Sequence, residues 1–366
     1  MPQSSAVLAH TAHRLLIMVL AVIILYFGKP FLVPLAFAAI LAMLLAPLSR
    51  KLEKKRINKA IAIILCILLM LSVMAVIFSL LGWQLSGLMK DISGIERRFN
   101  QFIAQVAQYI SDTLGIDIEK QEKIVKEQAK AAGSGSAETI AAISGAVLGF
   151  LVNFILVMVY IFLFMYFRSH LKKFLLKITP HGQKQNVNRL IFEAAKVSQQ
   201  YLTGLAMMIV SLWVLYGIGF SIVGVKHALF FAVLCGMLEI IPFVGNLTGT
   251  LITVTMGLVQ GGDIRLILGI LITYGFVQFI QTYLLEPLVV GREVNINPLF
   301  TIIGIVAGEA VWGIPGMILA IPIIGITKIV CDHFEPLKPY GFLLGQERKT
   351  RKTDYLKKIK SWIKPS

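Results

Sequence analysis

The sequence predicts an all-α, polytopic membrane helical bundle: about eight membrane-embedded helices or hairpins, some broken or re-entrant, plus an external amphipathic helix. Three observations predict it. Of 366 residues, 57% are hydrophobic and only 15% are charged, where a soluble globular chain carries about 25% charged residues. The mean hydropathy is +0.79. Apolar runs such as Ile140 to Phe167 recur along the chain, and a bilayer span takes about 20 such residues.

The net charge of +16 does not point to nucleic acid, because Lys and Arg cluster in short stretches between apolar runs. That is the orientation signal of membrane proteins. Cys66, Cys235 and Cys331 lie in or at the ends of apolar segments. Their odd number and wide spacing give neither a disulfide framework nor a metal site. Arg14 precedes an apolar run, but no small-residue cleavage site ends it before the next run, so no cleavable signal peptide is expected.

In chain order the apolar segments are 14–28, 31–48, 60–83, 140–167, 202–224, 227–243, 246–260, 264–288 and 299–331. All should be helical, since backbone in lipid must satisfy its own hydrogen bonds. The first two are separated only by Gly28-Lys29-Pro30. The basic loop from Arg50 to Lys59 is expected in the cytoplasm. So is the stretch Arg168 to Lys196, which carries seven Lys or Arg against one acid, Glu193. The tail after Cys331 is basic again, which puts both termini inside.

Residues 84–139 carry seven basic and eight acidic residues and are expected outside. Within them Leu88, Ile92, Ile95, Phe99, Ile103, Val106, Ile110 and Leu114 recur at spacings of three and four, one apolar stripe on a long helix. The chain therefore divides into four regions. Residues 1–83 form an N-terminal hairpin with a third membrane helix, and 84–139 the external segment. Residues 140–332 form the main transport region, and 333–366 a basic cytoplasmic tail.

Two segments are interrupted. Residues 227–260 break at Ile241-Pro242-Phe243-Val244-Gly245, and 299–331 at Gly313-Ile314-Pro315-Gly316. At about 1.5 Å per residue each half of the second segment reaches only part-way across a core of about 30 Å. Charge placement fits 299–331 to a hairpin entering and leaving from the cytoplasm, and 227–260 to one approaching from the opposite face. Two ordinary kinked spans are the alternative. Opposed broken hairpins meeting near the midplane are the organisation of secondary transporters with inverted repeats.

Polar residues within such runs are candidates for a transport pathway, because a charge at the bilayer centre costs about 2.5–3.5 kcal/mol on insertion scales. Glu239, two residues before the Ile241-Pro242 break, reads either as a cation or proton ligand or as an interfacial acid. Glu309 adjoins Gly308 ahead of the Gly313 to Gly316 break. It reads as a second acid facing Glu239 or as a vestibule acid without a coupling role. Glu286 precedes Pro287, where a hinge or an ion pair with Arg292 is the stronger reading. Gln278 and Gln281 share a helical face and, with Thr282, offer hydrogen bonds to a polyhydroxylated solute. They can equally serve as helix–helix glue. Asn246, Thr248 and Thr250 are candidates of the same type. Four Gly-x-x-x-Gly pairs (Gly145/Gly149, Gly245/Gly249, Gly257/Gly261 and Gly304/Gly308) read as sites of close helix approach. No hydrolase or phosphate-binding motif occurs. No enzyme activity, cofactor or metal is expected, and transport would run on an ion gradient or downhill.

Several motifs occur together. Phe31-Leu32-Val33-Pro34-Leu35 runs through Leu45-Ala46-Pro47-Leu48 into the basic loop. Glu239 to Gly245 follows, then Gln278 through Glu286-Pro287-Leu288-Val289-Val290-Gly291 to Asn297-Pro298-Leu299. Gly308, Gly313, Gly316, Met317 and Ala320-Ile321-Pro322 complete the set. Over residues 15 to 332 this series resembles the autoinducer-2 exporter family. The resemblance implies a multi-pass permease of the bacterial inner membrane that exports small polar solutes, the signal autoinducer-2 among them. Some members are linked to sodium/proton exchange. It further implies homo-oligomers, with pentamers the known case, and an elevator-like movement. Where many relatives carry an acid near Gln281, this chain has the amide there and its acid at Glu286. The partners expected are the lipid bilayer, a small polar solute, and Na+ or H+.

Overall fold

The computed structural model describes residues 2–89, six positions between 94 and 111, 137–242, 244–290 and 296–346. The elements are α1 (Pro2–Phe27), α2 (Lys29–Lys54), α3 (Lys59–Met89), α4 (Ala137–Tyr166), α5 (Arg168–Ile178), α6 (Lys184–Val223), α7 (Ala228–Leu238), α8 (Val244–Val259) and α9 (Ile264–Ile280). A π-helical segment, Gln281–Val290, continues α9, and α10 (Pro298–Trp312), α11 (Ile314–His333) and α12 (Lys338–Leu344) follow. The described residues form no strands beyond one isolated bridge, Ile296 to Gly345. Among the described residues six helices are long and apolar enough to cross a membrane: α2, α3, α4, α6, α9 with the start of its π extension, and α11. The apolar parts of α1, α7, α8 and α10 are shorter. Most of the expected external stripe and the end of the basic tail lie outside the described residues.

The outer faces of these helices are apolar, with Ile222 80% and Val76 67% exposed, as hydrocarbon rather than water requires. Two cores hold the bundle together. In one, Met208, Leu212, Tyr216 and Phe220 form a stripe at i, i+4 spacing on α6 and pack against Phe231, Cys235, Ile270 and Val277 from α7 and α9. In the other, Ala38, Ala42 and Leu45 of α2 meet Ile63 and Cys66 of α3 and Ile161 and Met165 of α4.

Helix ends follow local chemistry. Gly224, at φ +85, closes α6 in the left-handed conformation glycine adopts freely. The Asp263 carboxylate caps α9 by accepting from Leu266 N at 3.1 Å, and Asn297 caps α10 through Leu299 N at 3.0 Å. Inside α2, Pro47 has no N–H for the Met43 carbonyl four residues back. Gln199 of α6 supplies the missing donor, its Nε2 lying 2.8 Å from Met43 O.

Two helical hairpins are built around α6. In the first, α7 and α8 fold back at Glu239–Pro242 so closely that a Cβ on Gly245 would collide with the Leu238 carbonyl. The second folds at Gly313, whose φ of +66 and ψ of −147 suit glycine alone. Its arms meet backbone to backbone at Gly308 and Gly316. The open ends of the hairpins lie at opposite ends of α6. Val223 and Gly224 at the close of α6, Lys226 before α7, Gly257 in the last turn of α8, Gln260 to Gly262 after it and Asp263 before α9 line one cavity of about 650 Å³. At the other end, His333 of α11 approaches Glu193, in the first third of α6, to 3.7 Å. There the backbone N–H of Asn297 also donates to Leu344 O at 2.8 Å.

Candidate functional site

The site grows from the break between α7 and α8. Pro242 cannot carry a helical hydrogen bond forward, so the chain unwinds after Leu238 and turns through short-range contacts, Ile241 N to Leu238 O at 2.8 Å and Val244 N to Pro242 O at 2.7 Å. Glu239 is the C-cap of α7, and the turn aims its side chain at α9. Gln281 stands where α9 passes from α to π geometry, a rare distortion that often marks functional positions. Its Nε2 donates to Glu239 Oε1 at 2.6 Å.

One turn along, a second polar chain crosses the bundle. Tyr216 of α6 donates from its hydroxyl to Asn246 Oδ1 at 3.0 Å. Asn246 Nδ2 donates to Gln278 Oε1, and Gln278 Nε2 reaches Thr282 Oγ1 at 3.4 Å. Glu239, Asn246, Gln278 and Gln281 therefore converge from three elements, and α6 forms the back wall. Asn246 and Gln281 are buried. Among the described residues, three buried oxygens of this region have no hydrogen-bond partner: Glu239 Oε2, Gln281 Oε1 and Thr250 Oγ1. Unpaired polar atoms in a low-dielectric site are costly, and these are oxygens with lone pairs to offer.

Other sequence candidates fall elsewhere. Pro242 and Gly245 shape the turn, with Gly245 buried at the arm crossing. Thr248 is engaged by its own helix, donating to Val244 O at 2.7 Å. Glu286 is exposed on the π segment, which also contains Pro287, and Arg292 lies outside the described residues. Glu309 is exposed on α10, and the structure does not join it to the Glu239 cluster. Gly308, Gly313 and Gly316 make the second hairpin's close crossing and its turn. Beside that tip, Trp312 Nε1 donates to Leu25 O of α1 at 2.9 Å.

Tyr216 is the participant that sequence reasoning missed. Its signal was faint, a single hydroxyl in the run Leu212-Trp213-Val214-Leu215-Tyr216. In the same core Cys235 Sγ lies 3.6 Å from Thr253 Oγ1.

Comparison with known proteins agrees with this architecture. The model of a family described as AI-2E family transporter matches residues 15–335. "Putative transport protein YrrI" of Bacillus subtilis is 26% identical over 164 residues, 45% of this chain and 46% of its own. A "Putative transport protein" of Borreliella burgdorferi is 25% identical over 185 residues, 49% of this chain and 51% of its own. "Putative transport protein MT0215" of Mycobacterium tuberculosis is 34% identical over 108 residues, 29% of each chain. The chain spans about half the length, or less, of the curated relatives it matches. The family match over nearly all of the sequence, with six helices among the described residues fit to cross a bilayer, identifies the chain as a multi-pass membrane protein of the AI-2E transporter family.

Proposed function

We propose that the chain is a secondary transporter that exports a small polar solute, autoinducer-2 or a chemically similar polyhydroxylated signal, across the bacterial inner membrane. The observation that carries this reading is the part-buried Glu239–Gln281 pair at a broken helix, with Glu239 Oε2 and Gln281 Oε1 left without partners among the described residues. Depth supports it. The apolar part of α6, residues 202–223, is about 33 Å long at 1.5 Å per residue, so Tyr216 stands about 5 Å from its middle. The polar cluster sits where an ion or polar solute pays the highest cost to cross unaided.

Basic residues orient the bundle with the end of α2, the start of α6 and both termini in the cytoplasm. On that orientation α7–α8 is re-entrant from outside and α10–α11 from inside. Counting 20 residues back along α11 from His333, beside Glu193, brings Gly313 to about the level of Trp213. The two tips then meet one aqueous path from opposite faces. The amides Asn246, Gln278 and Gln281 bind solute hydroxyls, Glu239 takes the coupling Na+ or H+, and Pro287 in the π segment hinges α9. Glu309 lines the approach to the second tip. Family resemblance supports a homo-oligomer, with a pentamer as the expected state.

A second reading, a cation/proton antiporter without organic substrate, is favoured by one observation: the unpartnered atoms are oxygens, suited to a cation. Purified protein in liposomes separates the two. Uptake of labelled autoinducer-2 that is lost in Glu239→Gln supports solute export. Sodium-dependent proton flux without solute movement supports the antiporter. Neither flux from folded protein overturns both. For the hairpins, cysteines at Val311 and Ile314 should react with an impermeant thiol reagent from one side only; reaction from both sides rejects re-entrance.

A further inference from the structure

The helix α5 plays no part in the polar cluster, and its surroundings point to a different partner. It starts one residue after α4 ends, the break falling at Phe167 (φ −92, ψ 9). Its first residue is tied to the basic end of the bundle: Arg168 Nη2 lies 2.5 Å from Glu53 Oε2 at the end of α2. Beside it Lys59, which opens α3, donates to the Tyr166 carbonyl. None of its residues is buried.

At about 100° per residue, Leu171, Phe174, Leu175 and Ile178 fall within one narrow arc of the helix. All four are exposed, Phe174 at 55% and Ile178 at 63%. Lys173 and Lys177 stand on the opposite face, with His170 and Lys172 on the flanks. A short helix with an apolar stripe open to its surroundings and a cationic back is built for the plane between headgroups and acyl chains. Its attachment to the end of the span α4 holds it at that depth, and its lysines complement an anionic lipid surface.

We propose that α5 is an interfacial helix that binds anionic phospholipid at the basic face of the bundle, with the apolar stripe inserted below the headgroups and Lys172, Lys173 and Lys177 on the phosphates. The inference does not depend on what the protein transports. A lipid-immersed α5 fixes the height of α4 and, through Pro180 and the turn His181–Gln183, the start of α6.

Nitroxide labels on the full chain test it. Leu175→Cys and Lys173→Cys are labelled separately in vesicles of phosphatidylcholine mixed with phosphatidylglycerol, and the unmutated chain, whose described cysteines are buried, is the labelling blank. At Leu175 collisions with dissolved oxygen should dominate those with an aqueous nickel chelate, and at Lys173 the order should reverse. The oxygen-to-nickel ratio at Leu175 should fall several-fold in phosphatidylcholine alone. It should fall likewise when Lys172→Gln and Lys177→Gln are combined with Lys173→Gln. Water access at Leu175 equal to that at Lys173 overturns the proposal. A label shielded from both relaxers, the sign of a second copy packed on the stripe, also overturns it. So does a ratio indifferent to lipid charge and to the lysines.

Discussion

Gln199 donates a 2.8 Å hydrogen bond to the Met43 carbonyl, the group that Pro47 leaves without its helical partner. One side chain on α6 thereby repairs a defect in α2, 156 residues away in sequence. Replacing it as Gln199→Leu strands a carbonyl between helices and should cost about 1–3 kcal/mol. Adding Pro47→Ala returns an N–H to the helix and should recover most of that loss. Thermal unfolding in detergent of both single variants and the double variant measures this. A double variant no better than Gln199→Leu would refute the coupling.

The Glu239–Gln281 pair predicts a split between stability and transport. Gln281→Leu removes the donor from a carboxylate oxygen 2.6 Å away and should destabilise by about 1–3 kcal/mol. Converting Glu239→Leu in the same chain removes the stranded acceptor as well, so stability should return. Flux should not return in the double variant. In Glu239→Gln, flux should fall about tenfold or more, the equivalent of about 1.4 kcal/mol in binding. Melting curves and liposome flux on the same preparations check both halves.

At Gly313 the backbone sits at φ +66 and ψ −147, a region essentially closed to residues with a Cβ. Gly313→Ala should therefore cost about 1–3 kcal/mol. The loss should appear as a lower melting temperature, although a Cβ there would meet no atom within 4 Å. An unchanged melting temperature would contradict the turn geometry.

The glycine pairs predict contrasting outcomes. Gly245→Ala drives a methyl into the Leu238 carbonyl across the first hairpin and should abolish flux through a separated tip. At Gly145 an added Cβ meets nothing within 4 Å among the described residues, so Gly145→Ala should gain about 0.5–1 kcal/mol from helix propensity. Yield after size-exclusion chromatography, melting temperature and flux report on both.

Much of the fold was legible because lipid enforces simple rules. Long apolar runs had to be helices, and Pro242 and Gly313 had to interrupt them. The faces of Gln278 and Gln281 followed from helical spacing, and the structure brings both residues to polar partners. What the pattern did not contain was partner choice. Tyr216 and Gln199 look like incidental polar residues until α6 lies against α8 and α2. The helical nature of α5 was hidden because its lysines read first as an orientation signal. For Glu309 the sequence leaves open a place opposite Glu239 or a vestibule acid without a coupling role; the structure gives the exposed acid on α10 and the hydrogen-bonded acid at the α7 turn separate surroundings.

The length of α6 has a mechanical consequence. Its 40 residues form one uninterrupted rod of about 60 Å, roughly half of it beyond the apolar stretch. Both hairpins pack on this rod, and Tyr216 is fixed to its wall. Pivoting it by about 10° about Lys184 would sweep Tyr216 sideways by about 8 Å, since the two lie about 48 Å apart along the axis. A tilt of α6 about its Lys184 end would therefore carry Tyr216, and with it the Asn246 side chain to which Tyr216 is hydrogen-bonded. Spin-label distances between the two ends of α6 and α4, measured with and without solute, would register such a swing.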